Sequence, residues 1–193
     1  MAVHLTRIYT RTGDDGSTTL GDLSRVPKTD PRVAVTGDCD ETNAVLGVVL
    51  AQGGLAEPIA AVLRQVQNDL FDVGADFTTP IVAQPKHPPL RITAAYVERL
   101  EGWCDEFNAE LAPLNSFILP GGTPPAALLH QARTVARRAE RNAWTLYQAD
   151  PERTNRLALQ YLNRLSDLLF ILARVANPDG DVLWRPGGAD GTR

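Results

Sequence analysis

Residues 128–146 fold into a helix with two incompatible faces, and that constrains the rest of the chain. The nine residues Arg133-Thr134-Val135-Ala136-Arg137-Arg138-Ala139-Glu140-Arg141 carry five charges, four of them guanidiniums. At helical spacing Arg133, Arg137, Glu140 and Arg141 fall on one side. Ala132, Val135, Ala136, Ala139 and Ala143 fall on another, and Leu128, Leu129 and Leu146 extend that stripe. The apolar stripe demands a core. The arginine side repels itself, and Glu140 cannot neutralise it alone. A plain solvated face mixes Lys with Glu, whereas this one is almost all Arg. The planar guanidinium fork suits phosphate oxygens, so a polyanion, or carboxylates from another surface, is its complement.

Four more helices follow from periodicity and caps. Thr29-Asp30-Pro31 starts the first, a capping side chain before Pro in the opening turn, and Gly53-Gly54 ends it. Gly37 weakens it. The second runs from Glu57 to about Phe77, with Ile59, Val62, Leu63, Val66, Leu70 and Val73 at helical spacing and Pro80 beyond. Residues 79–92 hold four prolines and form a loop. The third covers about Thr93 to Leu111, with Val97, Leu100, Trp103 and Phe107 inward. Thr123-Pro124 starts the fourth, which carries the arginines. The fifth covers about Thr154 to Ala176 and stops at Asn177-Pro178. Residues 1–28 lack helical period, and 178–193 read as a Gly/Pro-rich, partly ordered tail. With no alternating strand pattern, the expectation is one all-α domain over 1–193, its five-helix bundle spanning 29–177.

The chain has 193 residues, enough for one sizeable core. Aromatics make up only 6%, which disfavours a base-stacking surface. Net charge is −4, so no global positive field draws nucleic acid. The positive charge is local and suits a small polyanion. Cys39 and Cys104 belong to no CxxC pair and no zinc-spaced cluster, so both read as buried free thiols. The N-terminus lacks a signal-peptide apolar core, and Leu168 to Val175 is too short to span a bilayer. A cytoplasmic protein off the membrane is expected.

Three further segments carry polar chemistry. Thr10-Arg11-Thr12-Gly13-Asp14-Asp15-Gly16-Ser17-Thr18 offers converging backbone N–H groups, hydroxyls and a guanidinium, as anion-binding concavities do. It lacks the Gly-Lys-Ser/Thr ending of a P-loop and the strand-then-helix setting of a dinucleotide fingerprint. A disordered tail is the alternative. On the fifth helix Asn163, Asp167 and Arg174 share a polar side, with Arg164 and Ser166 at its edges. That set could bind a polar ligand and a hydrated metal ion, or be surface polarity with an Arg164–Asp167 pair. On the first helix Asp38, Asp40, Glu41 and Asn43 could pair with the arginines, hold a cation, or be a solvated face. His130 lies one turn before Arg133 and could border the arginine site, a satisfied surface histidine being the alternative to a catalytic one. Trp103, Trp144 and Trp184 read as packing residues. No catalytic triad can be assembled.

Taken in order, these segments resemble the PduO-type ATP:cob(I)alamin adenosyltransferases. The resemblance rests on Thr10 to Thr18, on Asp40-Glu41-Thr42-Asn43-Ala44, and on Phe117-Ile118-Leu119-Pro120-Gly121-Gly122. It extends through the arginine run to Tyr161-Leu162-Asn163-Arg164-Leu165-Ser166-Asp167-Leu168-Leu169-Phe170, covering roughly residues 5–185. Thr42 stands where the family usually has Leu.

The resemblance implies a ferritin-like up-and-down bundle assembling as a homotrimer, with sites between subunits. It implies transfer of the 5′-deoxyadenosyl group of ATP to the cobalt of cob(I)alamin, releasing triphosphate, with Mg²⁺. By matching position, Thr10, Arg11, Thr12, Gly13, Asp14, Gly16, Ser17 and Thr18 close over ATP and Lys28 contacts it. Arg137 and Arg141 bind the triphosphate, Glu140 positions nucleotide or Mg²⁺, and Asn163 contacts the nucleotide. Asp40 pairs with Arg133 across the subunit boundary beside cobalamin. Phe117 closes the lower face of the corrin, giving four-coordinate cob(II)alamin, which is easier to reduce. Cobalt is then the nucleophile, so no protein triad is needed. A reductase and an adenosylcobalamin-dependent mutase are implied partners. The rival reading is a non-catalytic helical module whose arginine face binds an acidic partner.

Overall fold

The structure, a computed structural model, describes residue 9 and residues 11–52, 54–85 and 87–187. Five helices dominate it: α1 (Pro31–Gln52), α2 (Glu57–Thr78), α3 (Ala94–Asn108), α4 (Pro124–Ala149) and α5 (Arg156–Val175). The caps explain the starts. The Asp30 carboxylate accepts from Arg32 N at 2.8 Å, the Thr123 hydroxyl from Ala126 N at 3.3 Å, and the Asn155 amide oxygen from Leu157 N at 3.1 Å. Gly37 does not interrupt α1.

α4 lies between α1 and α5, with α2 against α1 and α3 against α5. The alanine stripe explains the central position of α4. Ala132, Ala136, Ala139 and Ala143 are fully buried, and their small side chains let two neighbours approach. Opposite them α5 contributes Leu162, Leu165 and Leu169, all without exposed surface. Each such leucine contributes about 2 kcal/mol on leaving water. α3 is the least embedded helix. Only Leu100 is fully inside, while Val97, Trp103 and Phe107 are half-buried against the core.

Buried carboxylates fasten the outer elements. Asp69 on α2 accepts from Arg99 of α3 at 2.7 Å and from the Tyr161 hydroxyl of α5 at 3.0 Å. Burial first, then the Asp69 charge, holds the Tyr161 phenol well above its ordinary value. Asp76 accepts from Arg91, from Ile92 N at 2.7 Å and from Asn155 Nδ2 at 2.6 Å. It thereby pins the proline-rich loop to the start of α5. Arg32 reaches Asp150 at 2.7 Å and the Phe77 carbonyl at 2.9 Å.

Two departures from the sequence expectation concern the ends. Residues 17–27 are not featureless: β1 (Ser17–Thr19) and β2 (Arg25–Pro27) form an antiparallel hairpin, Thr18 opposite Val26. The hairpin is tied to the bundle by Gly21 N donating to the Thr78 carbonyl at 2.8 Å. A Cβ on Gly21 would stand 2.3 Å from the Thr79 hydroxyl, so only glycine permits this approach. At the other end, residues 178–187 are held to the bundle more closely than their Gly/Pro-rich composition suggests. Ile118 and Leu183 form an antiparallel bridge, so the last segment lies beside the α3–α4 connection. No helix among the described residues is long and apolar enough to cross a membrane.

Candidate functional site

Of the four arginines on α4 one is neutralised within the chain. Arg138 donates to Asp38 of α1 at 2.9 Å and also bonds Glu41. Asn142 adds a bond to Asp38 at 2.5 Å. Asp38 and Glu41 of the α1 cluster therefore serve one arginine, while Asn43 donates to the Gln67 carbonyl of α2 at 2.9 Å. Arg133 and Arg137 have no carboxylate partner among the described residues, and Arg141 donates only to the Arg137 carbonyl at 3.3 Å. Arg137 and Arg141 are exposed. Arg133 is half-buried, its Nε without a hydrogen-bond partner, and its guanidinium lies 5.9 Å from the Phe170 ring centroid. Burial, then the nearby Arg137 charge, pulls its pKa below the ordinary arginine value. An anion in front of this face would relieve all three charges.

Arg133, Arg137, Ser166, Asp167 and Phe170 line a recess of about 210 Å³ between α4 and α5. Beside it Glu140, Trp144, Gln160, Asn163 and Arg164 line a polar cleft of about 390 Å³. Asn163 Nδ2 donates to Glu140 Oε1 at 2.9 Å, bringing two expected nucleotide contacts together. His130 is buried behind the recess, edge-on to Phe170 at 6.0 Å, its Nδ1 unpartnered. Burial and the Arg133 charge lower its pKa. The polar side expected on α5 divides. Asp167 pairs with Arg164 at 2.7 Å, as the surface-pair alternative required. Arg174 is claimed by Asp181 at 2.8 Å and the Ala112 carbonyl at 2.8 Å.

The N-terminal segment forms a second, separate feature. Thr10 lies outside the described residues. Arg11 has φ +61° and its guanidinium sits 5.6 Å from the Tyr9 ring. A tight turn follows, Gly16 N donating to the Gly13 carbonyl at 3.2 Å with Gly16 at φ +81°. The Asp15 carboxylate caps the turn, accepting from Ser17 N at 2.9 Å and Ser17 Oγ at 2.6 Å. The Ser17 hydroxyl, then its N–H, holds the Asp15 carboxyl below the usual range. Asp14 is exposed on the turn. Lys28 folds over Gly13, where a Cβ would stand 3.2 Å from its Nζ. The lysine and the glycine turn, 15 residues apart, are thus neighbours.

Thr18 and Thr19 overhang a cleft of about 480 Å³ that also takes in Asp40, Asn43 and Phe71 from α1 and α2. Asp40 is exposed. Within one chain, then, Thr18 and Asp40 share one cleft while Arg133 and Arg137 line another. Phe117 stands apart from both, 77% exposed, its ring edge-on to Trp184 at 6.0 Å. Trp184 packs, as its sequence reading expects, but against Phe117 and not in the core, a contact that nothing in its Gly/Pro-rich surroundings signals. Cys39 is buried, its thiol pushed up to about 12, and Cys104 is half-buried at about 11, burial being the first cause in both. Neither thiol is a nucleophile at neutral pH. Among the described residues no three His, Cys, Asp or Glu side chains cluster as a metal cage.

A family model described as cobalamin adenosyltransferase matches residues 8–176. A corrinoid adenosyltransferase of Mycobacterium tuberculosis (strain ATCC 25618 / H37Rv) is 68% identical over 188 residues, covering 97% of this chain and 97% of that protein. One from Bacillus subtilis (strain 168) is 42% identical over 175 residues, covering 89% of this chain and 86% of that protein. A variant PduO-type ATP:corrinoid adenosyltransferase from Lactobacillus reuteri, solved with cobalamin and ATP, shares the fold at a TM-score of 0.85. It is 34% identical and the match covers 93% of this chain and 97% of that one.

Proposed function

The chain belongs to the cobalamin adenosyltransferase family as a PduO-type ATP:corrinoid adenosyltransferase, and on that premise we propose how its own residues carry out the reaction. The activity is ATP-dependent adenosyl transfer to cobalamin. The product paired with adenosylcobalamin is inorganic triphosphate, because attack at C5′ expels the whole phosphate chain.

The observation that carries the assignment of roles is the uncompensated arginine face. As the C5′–O bond breaks, negative charge grows on the leaving triphosphate. Arg137 and Arg141, carried on a packed helix and holding no counterion among the described residues, stabilise that charge without reorganisation. The segment Thr10 to Thr18, with Lys28 folded across Gly13, closes over the phosphates from the opposite side. Glu140, oriented by Asn163, would hold a Mg²⁺ accompanying ATP, a single carboxylate being a suitable protein donor for it, and the ion would add positive charge against the phosphates. Phe117 supplies an apolar wall against the lower face of the corrin, excluding a lower axial ligand. Cobalt brings the nucleophile, which accounts for a site without an activated Ser, Cys or His.

Thr18 and the arginines line separate clefts of one chain, and among the described residues neither Asp40 nor Arg133 has an ion-pair partner. Both facts support a site completed between copies. The assembly is a homotrimer of ferritin-like up-and-down bundles, with Asp40 of one copy pairing with Arg133 of the next beside cobalamin. The protein works in the cytoplasm, supplied by a reductase and feeding an adenosylcobalamin-dependent mutase.

The test is anaerobic incubation with ATP, Mg²⁺ and reduced cobalamin. The cobalamin spectrum is followed, and triphosphate is assayed against pyrophosphate plus phosphate. Arg137→Ala is expected to abolish turnover in an otherwise intact protein. Full turnover in that variant overturns the assignment of the arginine face.

A further inference from the structure

The α3–α4 connection presents Phe117 to solvent, 77% exposed and with no core of its own. Two anchors at the last turn of α5 fix its base. Arg174 donates to the Ala112 carbonyl at 2.8 Å on one side of the connection. On the other side Asn177 Oδ1 accepts from Thr123 N at 3.3 Å. The same two side chains also hold the chain's last described segment. Arg174 pairs with Asp181 at 2.8 Å, both largely buried, and Asn177 Nδ2 donates to the Gly180 carbonyl at 2.6 Å. Gly122, at φ +96°, leaves room for Asn177, whose side chain a Cβ would meet at 2.4 Å.

From those anchors residues 181–184 run antiparallel to Phe117. Leu119 N donates to the Val182 carbonyl at 2.8 Å and Trp184 N to the Phe117 carbonyl at 2.7 Å. The Ser116 hydroxyl donates to the Trp184 carbonyl at 3.0 Å. The Trp184 indole meets the Phe117 ring edge-to-face at 6.0 Å and 62°. An exposed ring on a loop would otherwise sample several rotamers. Here both its backbone and its ring are held by one strap.

We propose that Trp184 is a positioning residue for Phe117, and that the strap 181–184, clasped to α5 by Arg174–Asp181, braces the lower wall of the corrin site. This rests on the reading of Phe117 given above. Trp184 acts through the Phe117 ring, so its loss affects formation of four-coordinate cob(II)alamin more than ATP binding.

The experiment uses the full chain loaded with ATP and cob(II)alamin. Four-coordinate cobalt is read by electron paramagnetic resonance, with kcat and the KM for ATP measured in parallel. Trp184→Ala is expected to lower the four-coordinate fraction and kcat about tenfold, with the KM for ATP within about twofold. Trp184→Phe, which keeps an aromatic edge, is expected to restore most of both. Asp181→Asn opens the clasp while preserving shape, and is expected to give a smaller loss of the same signal. It stands in if Trp184→Ala does not fold. A wild-type four-coordinate fraction in Trp184→Ala or in the stand-in overturns the inference, provided Phe117→Ala loses that species. If Phe117→Ala keeps it too, the assignment of Phe117 is what has failed.

Discussion

Arg138 Nε lies 2.9 Å from Asp38 Oδ1, joining α4 to α1. This bond separates one arginine from the three beside it. The Asp38 side chain is only 13% exposed, and without Arg138 it keeps Asn142 alone. Arg138→Ala is expected to cost about 1–2 kcal/mol of stability, a charged hydrogen bond discounted for the half-exposed arginine. Arg137→Ala removes a repelled charge and is expected to leave the melting temperature unchanged or slightly higher, while turnover falls at least about 100-fold. Thermal melting beside steady-state rates distinguishes the two. Equal destabilisation by both variants would show that Arg137 also has a structural counterion.

Gly21 is where the N-terminal hairpin docks. Its N–H meets the Thr78 carbonyl at 2.8 Å, and a Cβ would press on Thr79 at 2.3 Å. Gly21→Ala is expected to push the hairpin off α2 and weaken ATP binding by about tenfold or more, since small displacements of positioning groups are costly. The melting temperature should move little, because the hairpin buries only Leu20. Calorimetric titration with ATP, paired with a melt, tests this. Unaltered ATP affinity would remove Thr12 to Thr18 from the nucleotide site.

His130 provides a pH dependence with a defined sign. Burial first, and the Arg133 charge second, depress its folded-state pKa below 6.5. The unfolded chain therefore binds the proton more readily. The resulting stability is fully present above about pH 6.5 and is lost as pH falls below it, at no more than about 1.4 kcal/mol per pH unit. Denaturant midpoints between pH 7 and 5 should decline in the wild type and decline less in His130→Gln. Parallel slopes would show that His130 is not the group responsible.

The helices were legible because their signals are local. Asp30-Pro31 and Thr123-Pro124 cap where expected, and the α2 and α5 apolar residues keep a 3.6-residue period over 20 or more positions. β1 was not legible, since three residues are too few to display alternation. The order of residues 178–187 was not legible either, because it comes from Arg174–Asp181 and from the Ile118–Leu183 bridge, the latter spanning distant parts of the sequence. For the site, the unpaired arginines followed from charge bookkeeping on one helix. The Lys28–Gly13 approach and the Trp184–Phe117 contact depend on the chain's return path, which composition does not encode.

Asp76 tests the buried scaffold independently of the site. It is 2% exposed and accepts from Arg91, Ile92 N and Asn155. Asp76→Ala leaves the Ile92 N–H without its acceptor and the Arg91 guanidinium without its carboxylate, holding only the Asp76 and Pro80 carbonyls, and is expected to cost about 3 kcal/mol. Asp76→Asn keeps the shape and part of the bonding, and should cost less. Urea unfolding measures both. A loss below about 1 kcal/mol for the alanine variant would mean that water replaces the carboxylate at no penalty.

Separate clefts for the N-terminal turn and the arginines make a quantitative prediction about mixing. Lys28→Ala impairs the turn side of the site and Arg137→Ala the arginine side. If each site takes one side from each of two neighbouring copies, oligomers mixed at random from equal amounts contain some sites with both sides intact. Each side is intact with even odds, so about a quarter of the sites recover, whatever the size of the closed ring. If both sides belong to one chain, every chain carries one lesion and nothing recovers. The two inactive variants should therefore be mixed after dissociation, reassembled and assayed for adenosylcobalamin. Recovery near a quarter of wild-type activity places the reaction between copies. No recovery, with mixed oligomers confirmed by native mass spectrometry, places Lys28 and Arg137 of each working site on one chain.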